Sequence, residues 1–180
     1  MRVTHNRDTS VPHYSLVPRG ERLSSVSSVK VLVITISHDL SWSLHVVEVV
    51  NKANKVLGLI KRTIGSVNKE IFSTLYKALV RPILEYASAV WCPYLVKNIV
   101  LLEKVQRRAS RLALGYRRGE MSYEDRCEML RWSQLTHRRL YFSLIECYKL
   151  EFGLNSPLFF RFFLVRFKTY QVQSQLQTAS

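Results

Sequence analysis

A chain of 180 residues, 47% of them apolar, is long enough for one ordinary domain and can bury a core, which excludes wholesale disorder. Its 27 lysines and arginines against 13 acids leave a formal charge of +14. That excess points to a polyanionic partner, nucleic acid first and an anionic membrane second, and to no enzyme class.

Three widely spaced cysteines, Cys92, Cys127 and Cys147, form no CxxC pair and read as reduced core residues of an intracellular protein. The polar, basic start Met1-Arg-Val-Thr-His-Asn-Arg has no apolar stretch behind it to serve as a signal peptide. The greasiest runs, 31–36 and 158–165, fall short of the ~20 apolar residues that span a bilayer. The expectation is an intracellular chain, nuclear or cytoplasmic, that is not secreted and has no transmembrane segment.

In chain order, residues 1–37 carry Pro12, Pro18 and Gly20 among serines and threonines, and close on the β-rich run Val29-Lys-Val-Leu-Val-Ile-Thr-Ile. Tyr14 to Val17 is the expected partner strand, with Pro18-Arg19-Gly20 as the turn. Two short strands are marginal alone, so the hairpin needs a body to lean on. From Ser41 the period becomes helical: Val46, Val50, Ala53, Leu57, Ile60 and Ile64 form one stripe, with Ser41 or Ser43 to cap it and Gly65 to stop it. A second helix is expected near Asn68 with Ile71, Leu75 and Leu79 inward. Pro82 should kink or break it, the pattern resuming through Ile83, Tyr86 and Val90 until Pro93.

The next helix spans about Lys97 to Leu114, with Leu102, Val105, Ala109 and Leu112 inward and Gly115 closing it. Ser122 and Asp125 resemble a capping box for a short helix ending at Leu130. The last helix covers about Thr136 to Glu151, with Leu140, Leu144, Cys147 and Tyr148 inward and Gly153 at its end. Trp42, Trp91 and Trp132 read as core anchors. The Gln- and Ser-rich final ten residues are expected to be disordered.

The segment Lys104-Val-Gln-Arg-Arg-Ala-Ser-Arg-Leu-Ala-Leu-Gly-Tyr-Arg-Arg118 holds six basic residues and no acid. On a helix, Lys104, Arg107, Arg108 and Arg111 fall within an arc of about 100°, apart from the apolar set, so one face packs while the other meets phosphates. Arg117 and Arg118 extend the charge past Gly115. On pattern alone a solvated basic face is an equal reading; the net charge favours nucleic acid. Lys52, Lys55, Lys61 and Arg62 form a second basic group, part of it ordinary surface because Glu48 can pair with Lys52. Arg138 and Arg139 are lesser candidates for the same groove.

Catalytic patterns are absent or weak. The acids are scattered rather than clustered for two-metal chemistry, and Glu124-Asp125 and Glu128 suit a helix start. The five histidines show no metal-ligand spacing, and no GxSxG, GxxxxGK[ST] or GxGxxG occurs.

Several ordered blocks carry a family likeness. Leu32-Val-Ile-Thr-Ile-Ser-His-Asp-Leu-Ser-Trp42 with His45 resembles the "LGV-x-I-x-x-DLSW-x-x-H" block of reverse transcriptases of non-LTR (LINE-like, jockey-type) retrotransposons. Ala53-Asn-Lys-Val-Leu-Gly-Leu-Ile-Lys-Arg62 resembles that family's "KAN-x-x-LG-x-L-x-R" helix. Tyr76-Lys-Ala-Leu-Val-Arg-Pro-Ile-Leu-Glu-Tyr-Ala-Ser-Ala-Val-Trp-Cys-Pro-Tyr94 resembles "LY-x-x-L-V-R-P-x-LEYAS-x-VW-x-P", and Leu102-Glu-Lys-Val-Gln-Arg-Arg-Ala-Ser-Arg111 resembles "LE-x-VQRRA-x-R". The order continues through Tyr123-Glu-Asp-Arg, Leu130-Arg-Trp, Arg138-Arg-Leu and Cys147-Tyr-Lys, so the likeness spans roughly 28–153. The chain departs from the pattern at Val31 and Val33, where the family usually has Asp and Gly.

The resemblance implies the end of the palm and the helical thumb, C-terminal to the family's active site. The family's Mg²⁺-binding aspartates, two of them in a Tyr-x-Asp-Asp hairpin, precede this stretch. No YxDD occurs here, so the resemblance transfers no catalytic residue and no cofactor, and the chain is expected to be inactive alone, like a truncated or decayed element copy. The expected fold is mainly α: a palm-end hairpin over 1–37, a thumb-like domain over 38–152 and a divergent, partly disordered tail over 153–180. The expected role is gripping the backbone of an RNA–DNA hybrid or duplex through Lys104, Arg107, Arg108, Arg111, Arg117, Arg118, Lys61 and Arg62, beside the missing palm and fingers. The alternative is a helical protein-interaction module, or an inert gene-fragment product with no nucleic-acid role.

Overall fold

The stripe that opens at Val46 winds as one long helix, α1 (Ser43–Ile64). The computed structural model describes residues 15–16, 21–22, 25–64, 68–117 and 119–154. Val46, Ala53, Leu57 and Ile60 are buried, with Val50 and Ile64 half-buried at the margin of the same face. Ser41 helps to start the helix, its hydroxyl accepting the Ser43 amide at 3.3 Å. The expected stop at Gly65, the turn at Pro18-Arg19-Gly20 and the tail beyond 154 lie outside the described residues.

Helix α5 (Val96–Leu114) lies along α1 in the same direction. Two contacts fix this: Asn98 Nδ2 donates to Ser43 Oγ at 3.1 Å, and further along both helices Arg108 donates to Asn54 Oδ1 at 3.3 Å. Leu102, Val105 and Ala109 are buried as the period requires, Leu112 only half so. Gly115 closes the helix at φ 72, a left-handed position that glycine takes without a Cβ clash.

Between these two helices run α2 (Lys69–Leu75), a π-helical turn (Tyr76–Val80), α3 (Arg81–Glu85) and α4 (Ser88–Trp91). Asn68 caps α2 by accepting the Glu70 amide at 2.9 Å. Pro82 does not break the helix where the sequence suggests. The Arg81 amide reaches back five residues to the Tyr76 carbonyl, and the widened turn admits a residue with no N–H to give. The break comes at Tyr86 and Ala87, the latter at φ 49.

The inner face of this run differs from the expected Ile71, Leu75 and Leu79. Phe72, Tyr76, Val80 and Leu84 are buried, whereas Ile71, Leu79 and Tyr86 are about half exposed. Two stripes of identical spacing lie one residue apart, and the one with two aromatics buries more apolar area. Tyr76 also stacks on Trp132 at 4.2 Å and donates its hydroxyl to Gln106 Oε1 at 2.9 Å, so its polar end is satisfied in the core. Trp91 and Trp132 are buried and Trp42 half-buried, as core anchors should be.

Helices α6 (Tyr123–Leu130) and α7 (Leu135–Glu151) close the bundle against α5. Ser122 caps α6, accepting the Asp125 amide at 3.1 Å. In α7 the expected inner residues Leu140, Leu144 and Tyr148 are 58–59% exposed, and Leu135 and Arg139 are the buried pair. Polar anchors set this rotation: the Thr136 amide and hydroxyl both donate to Glu103, and Arg138 forms a two-pronged ion pair with Glu85.

Preceding the helices are two short antiparallel pairings. Ser15–Leu16 (β1) pairs with Glu21–Arg22 (β2), not with the run beyond Val29. That run instead folds on itself, β3 (Ser28–Val31) against β4 (Ile34–Ser37), with Val31 opposite Ile34. Leu32 and Val33 are left as a two-residue turn at φ 47 and 73. Such turns favour Asn-Gly because both positions need positive φ. A β-branched side chain such as that of Val33 meets the backbone there.

The hairpin leans on α1. Ile34 is buried, Thr35 donates its amide to His45 Nδ1 at 3.2 Å and its hydroxyl to Glu48 Oε2 at 2.6 Å. Glu48 therefore faces the hairpin and Lys30, 3.9 Å away, rather than pairing with Lys52 as the spacing suggests.

Two stability outcomes follow. Leu57→Ala should cost about 2–5 kcal/mol in chemical denaturation, as for a fully buried leucine; a loss under about 0.5 kcal/mol would place Leu57 on the surface. Val33→Gly should stabilise the chain by roughly 0.5–1 kcal/mol, the relief of left-handed strain less the added freedom of the unfolded glycine. An unchanged or lowered midpoint for Val33→Gly would mean the turn is not left-handed.

Candidate nucleic-acid interface

The basic face of α5 does not stand alone; it forms one wall of a cleft against α1. Lys104, Arg107, Arg108 and Arg111 line this cleft with Asn54, over a floor of Val50, Leu101 and Val105. Its volume is about 440 Å³, and none of the described residues lining it is acidic. Helical spacing explains the gathering: the four cations share the arc of α5 between the side facing α1 and the side facing α6. Lys104, Arg107 and Arg108 are exposed and Arg111 half-buried.

The guanidinium groups are held to different degrees. Arg108 is tied across the cleft to Asn54, whose amide is the one neutral polar side chain among the lining residues. Arg107 lies over the ring of Tyr123, 4.8 Å from its centroid, a cation–π contact on a side chain that is otherwise exposed.

The remaining expected cations are placed less uniformly. Lys61 and Arg62 are exposed in the last turn of α1. Lys61 is seven residues beyond Asn54, so it sits on the same face about 10 Å further along and continues that rim; Arg62 turns about 100° away. Arg117 is exposed beyond the Gly115 cap, its backbone amide bonded to Glu120 at 2.8 Å. Arg118 lies outside the described residues.

Arg138 and Arg139 do not join the cleft. Arg138 is bound to Glu85 and rests on Phe142, 5.2 Å from the ring centroid. Arg139 is 3% exposed, and its two terminal nitrogens lack hydrogen-bond partners among the described residues. Burial lowers its pKa and nearby Glu103 opposes this, but a guanidinium keeps its proton throughout the accessible pH range.

Neither Asn54 nor Tyr123 stands out in the sequence as part of a site. Asn54 could be found only by knowing that α1 lies beside α5. Tyr123 gives no such signal, because Glu103 and Arg107 stand at i,i+4, a spacing from which a pair within α5 would be expected.

Buried titratable groups elsewhere are occupied by structure. Cys127 is buried, and burial pushes its thiol up, so it stays protonated. His45 sits edge-on to Trp91 at 4.8 Å, with Nδ1 accepting from Thr35 and Nε2 buried without a hydrogen-bond partner among the described residues. Among the described residues no three His, Cys, Asp or Glu side chains gather as a metal site. No helix among the described residues is long and apolar enough to cross a membrane. The chain matches no protein-family model, no curated protein and no solved structure.

His45 makes a pH signature. Burial holds its pKa below the ordinary 6.5, with Glu48 opposing and Lys30 adding to the effect. The unfolded chain therefore takes up the proton first as pH falls. The stability contributed by neutral His45 is complete above about 6.5 and is lost as pH drops through the folded value. Denaturation midpoints of the wild-type chain should decline from neutral pH toward mildly acidic pH, and His45→Gln should flatten that decline. Identical slopes for the two chains would show that His45 is not buried in its neutral form.

Proposed function

We propose that this chain grips the sugar–phosphate backbone of an RNA–DNA hybrid or duplex, as the non-catalytic thumb-like portion of a polymerase resembling non-LTR reverse transcriptases. One observation carries the reading: four cations converge on a single cleft with no acid among its described lining residues. A strand entering there would exchange condensed counterions for lysine and arginine, which is the main source of sequence-independent affinity. Arginine forks suit phosphate oxygens through paired N–H groups. The described lining has no aromatic ring on which a base could stack, so contacts there would track the backbone without reading sequence. The order of sequence blocks from Leu32 to Lys149 supports the polymerase part of the proposal. Without the family's aspartates, the chain's part in such a polymerase is to hold a template–primer rather than extend it.

A second reading, a helical protein-interaction module, is favoured by the outward face of α7. Leu140, Tyr141, Leu144 and Tyr148 are each more than half exposed there. Large exposed apolar faces commonly mark contact with another protein.

A salt titration separates the two. Arg107, Arg108 and Arg111 replaced together by Gln should leave the fold intact, since helix propensity changes little. The triple variant should bind a mixed-sequence duplex weakly, with a log–log salt slope shallower by up to about 3 units. Lys52→Gln with Lys55→Gln is the control. Equal binding by wild type and triple variant across the titration would remove the backbone-grip reading and leave the interaction module.

A further inference from the structure

Glu103 and Arg107 sit one turn apart on α5, with the acid on the N-terminal side, the arrangement in which helical ion pairs form most readily. Here the pair does not form. Glu103 is 7% exposed and both carboxylate oxygens are taken: Oε2 by the Tyr123 hydroxyl at 2.7 Å, Oε1 by the Thr136 amide and hydroxyl at 2.8 and 2.9 Å. The ring of the same Tyr123 supports the Arg107 guanidinium from below.

We infer that Tyr123 is the positioning residue of the basic cleft: its hydroxyl holds Glu103 inward and its ring supports Arg107, so that an arginine otherwise placed to pair with Glu103 within its own helix is left to meet phosphate. The inference rests on the nucleic-acid reading for its consequence, but not for its geometry. Burial and the bond to Glu103 both raise the phenol's pKa, which keeps the proton on Tyr123 as donor. The cost of burying the carboxylate is offset by three hydrogen bonds and by the Arg139 cation that acts on the same region.

Tyr123→Phe tests the idea because it keeps the ring and deletes only the hydroxyl. Glu103 Oε2 then loses its donor and can turn toward Arg107. In the ¹H–¹⁵N spectrum of the full chain, the Arg107 Nε–H resonance should move in Tyr123→Phe and return in the double variant Tyr123→Phe with Glu103→Gln. On a short mixed-sequence DNA duplex, the salt slope of Tyr123→Phe should be shallower than that of the wild type by about 0.9, one phosphate contact, and the double variant should recover it. Recovery on deleting a second buried partner is the reverse of what a purely structural role gives.

An Arg107 resonance unmoved by Tyr123→Phe would overturn the positioning role, whether or not the chain binds duplex. A moved resonance with an unchanged slope would overturn its bearing on phosphate. Wild-type binding without salt dependence would discard the nucleic-acid reading instead, while the resonance still decides which partner Tyr123 gives Arg107. Should Tyr123→Phe fail to fold, Glu103→Gln alone decides: the inference expects its slope to match the wild type, and a steeper slope would mean that Glu103 already neutralises Arg107.

Discussion

The arrangement of the last three helices turns on a buried carboxyl group, that of Glu103. Glu103 lies in the middle of α5, and a polar side chain at that depth is costly unless its oxygens are bonded. Its donors come from α6 and from the first turn of α7, so two helices distant in sequence are located by one side chain. The same constraint fixes the rotation of α7. Once the Thr136 amide must reach Glu103 and Arg138 must reach Glu85, Arg139 is carried inward and Leu140 and Leu144 outward.

Gln106, one turn along α5 from Leu102, extends this polar seam. It accepts from Tyr76 and donates to the Ser133 carbonyl at 3.0 Å, joining the π-helical turn to the loop before α7. A core tied by directional bonds is less free to slide than one packed from aliphatic side chains alone. The seam also divides α5 lengthwise into a face that orders the bundle and a face that carries charge.

What could be read from the sequence and what could not follow the same division. Helices α1 and α5 were legible because their apolar stripes face each other directly: Leu57 and Val105 are where period alone puts them, and Gly115 ends α5 as a C-terminal glycine should. The cations of the cleft were legible as an arc, since an arc needs only 3.6 residues per turn. The cleft itself was not, because Asn54 and Val50 come from another helix. The faces of α2 and α7 were misread for different reasons. In α2 two equal stripes compete and aromatic size decides; in α7 polar anchors override an apolar stripe, and no periodicity reports a tertiary hydrogen bond. The folding-back of the run at Val29 was hidden because Leu32 and Val33 are residues that strands favour and turns refuse.

That turn has a consequence for the order in which the chain assembles. A two-residue hairpin normally closes early and locally, its turn residues already disposed to reverse the chain. Leu32 and Val33 oppose their own reversal, so nothing local selects the pairing of Val31 with Ile34. The information comes from outside the hairpin: His45 receives the Thr35 amide, Glu48 the Thr35 hydroxyl, and Ile34 enters the apolar surface of α1. The hairpin is thus templated by the helix that follows it, and its register is only as well defined as that helix is formed.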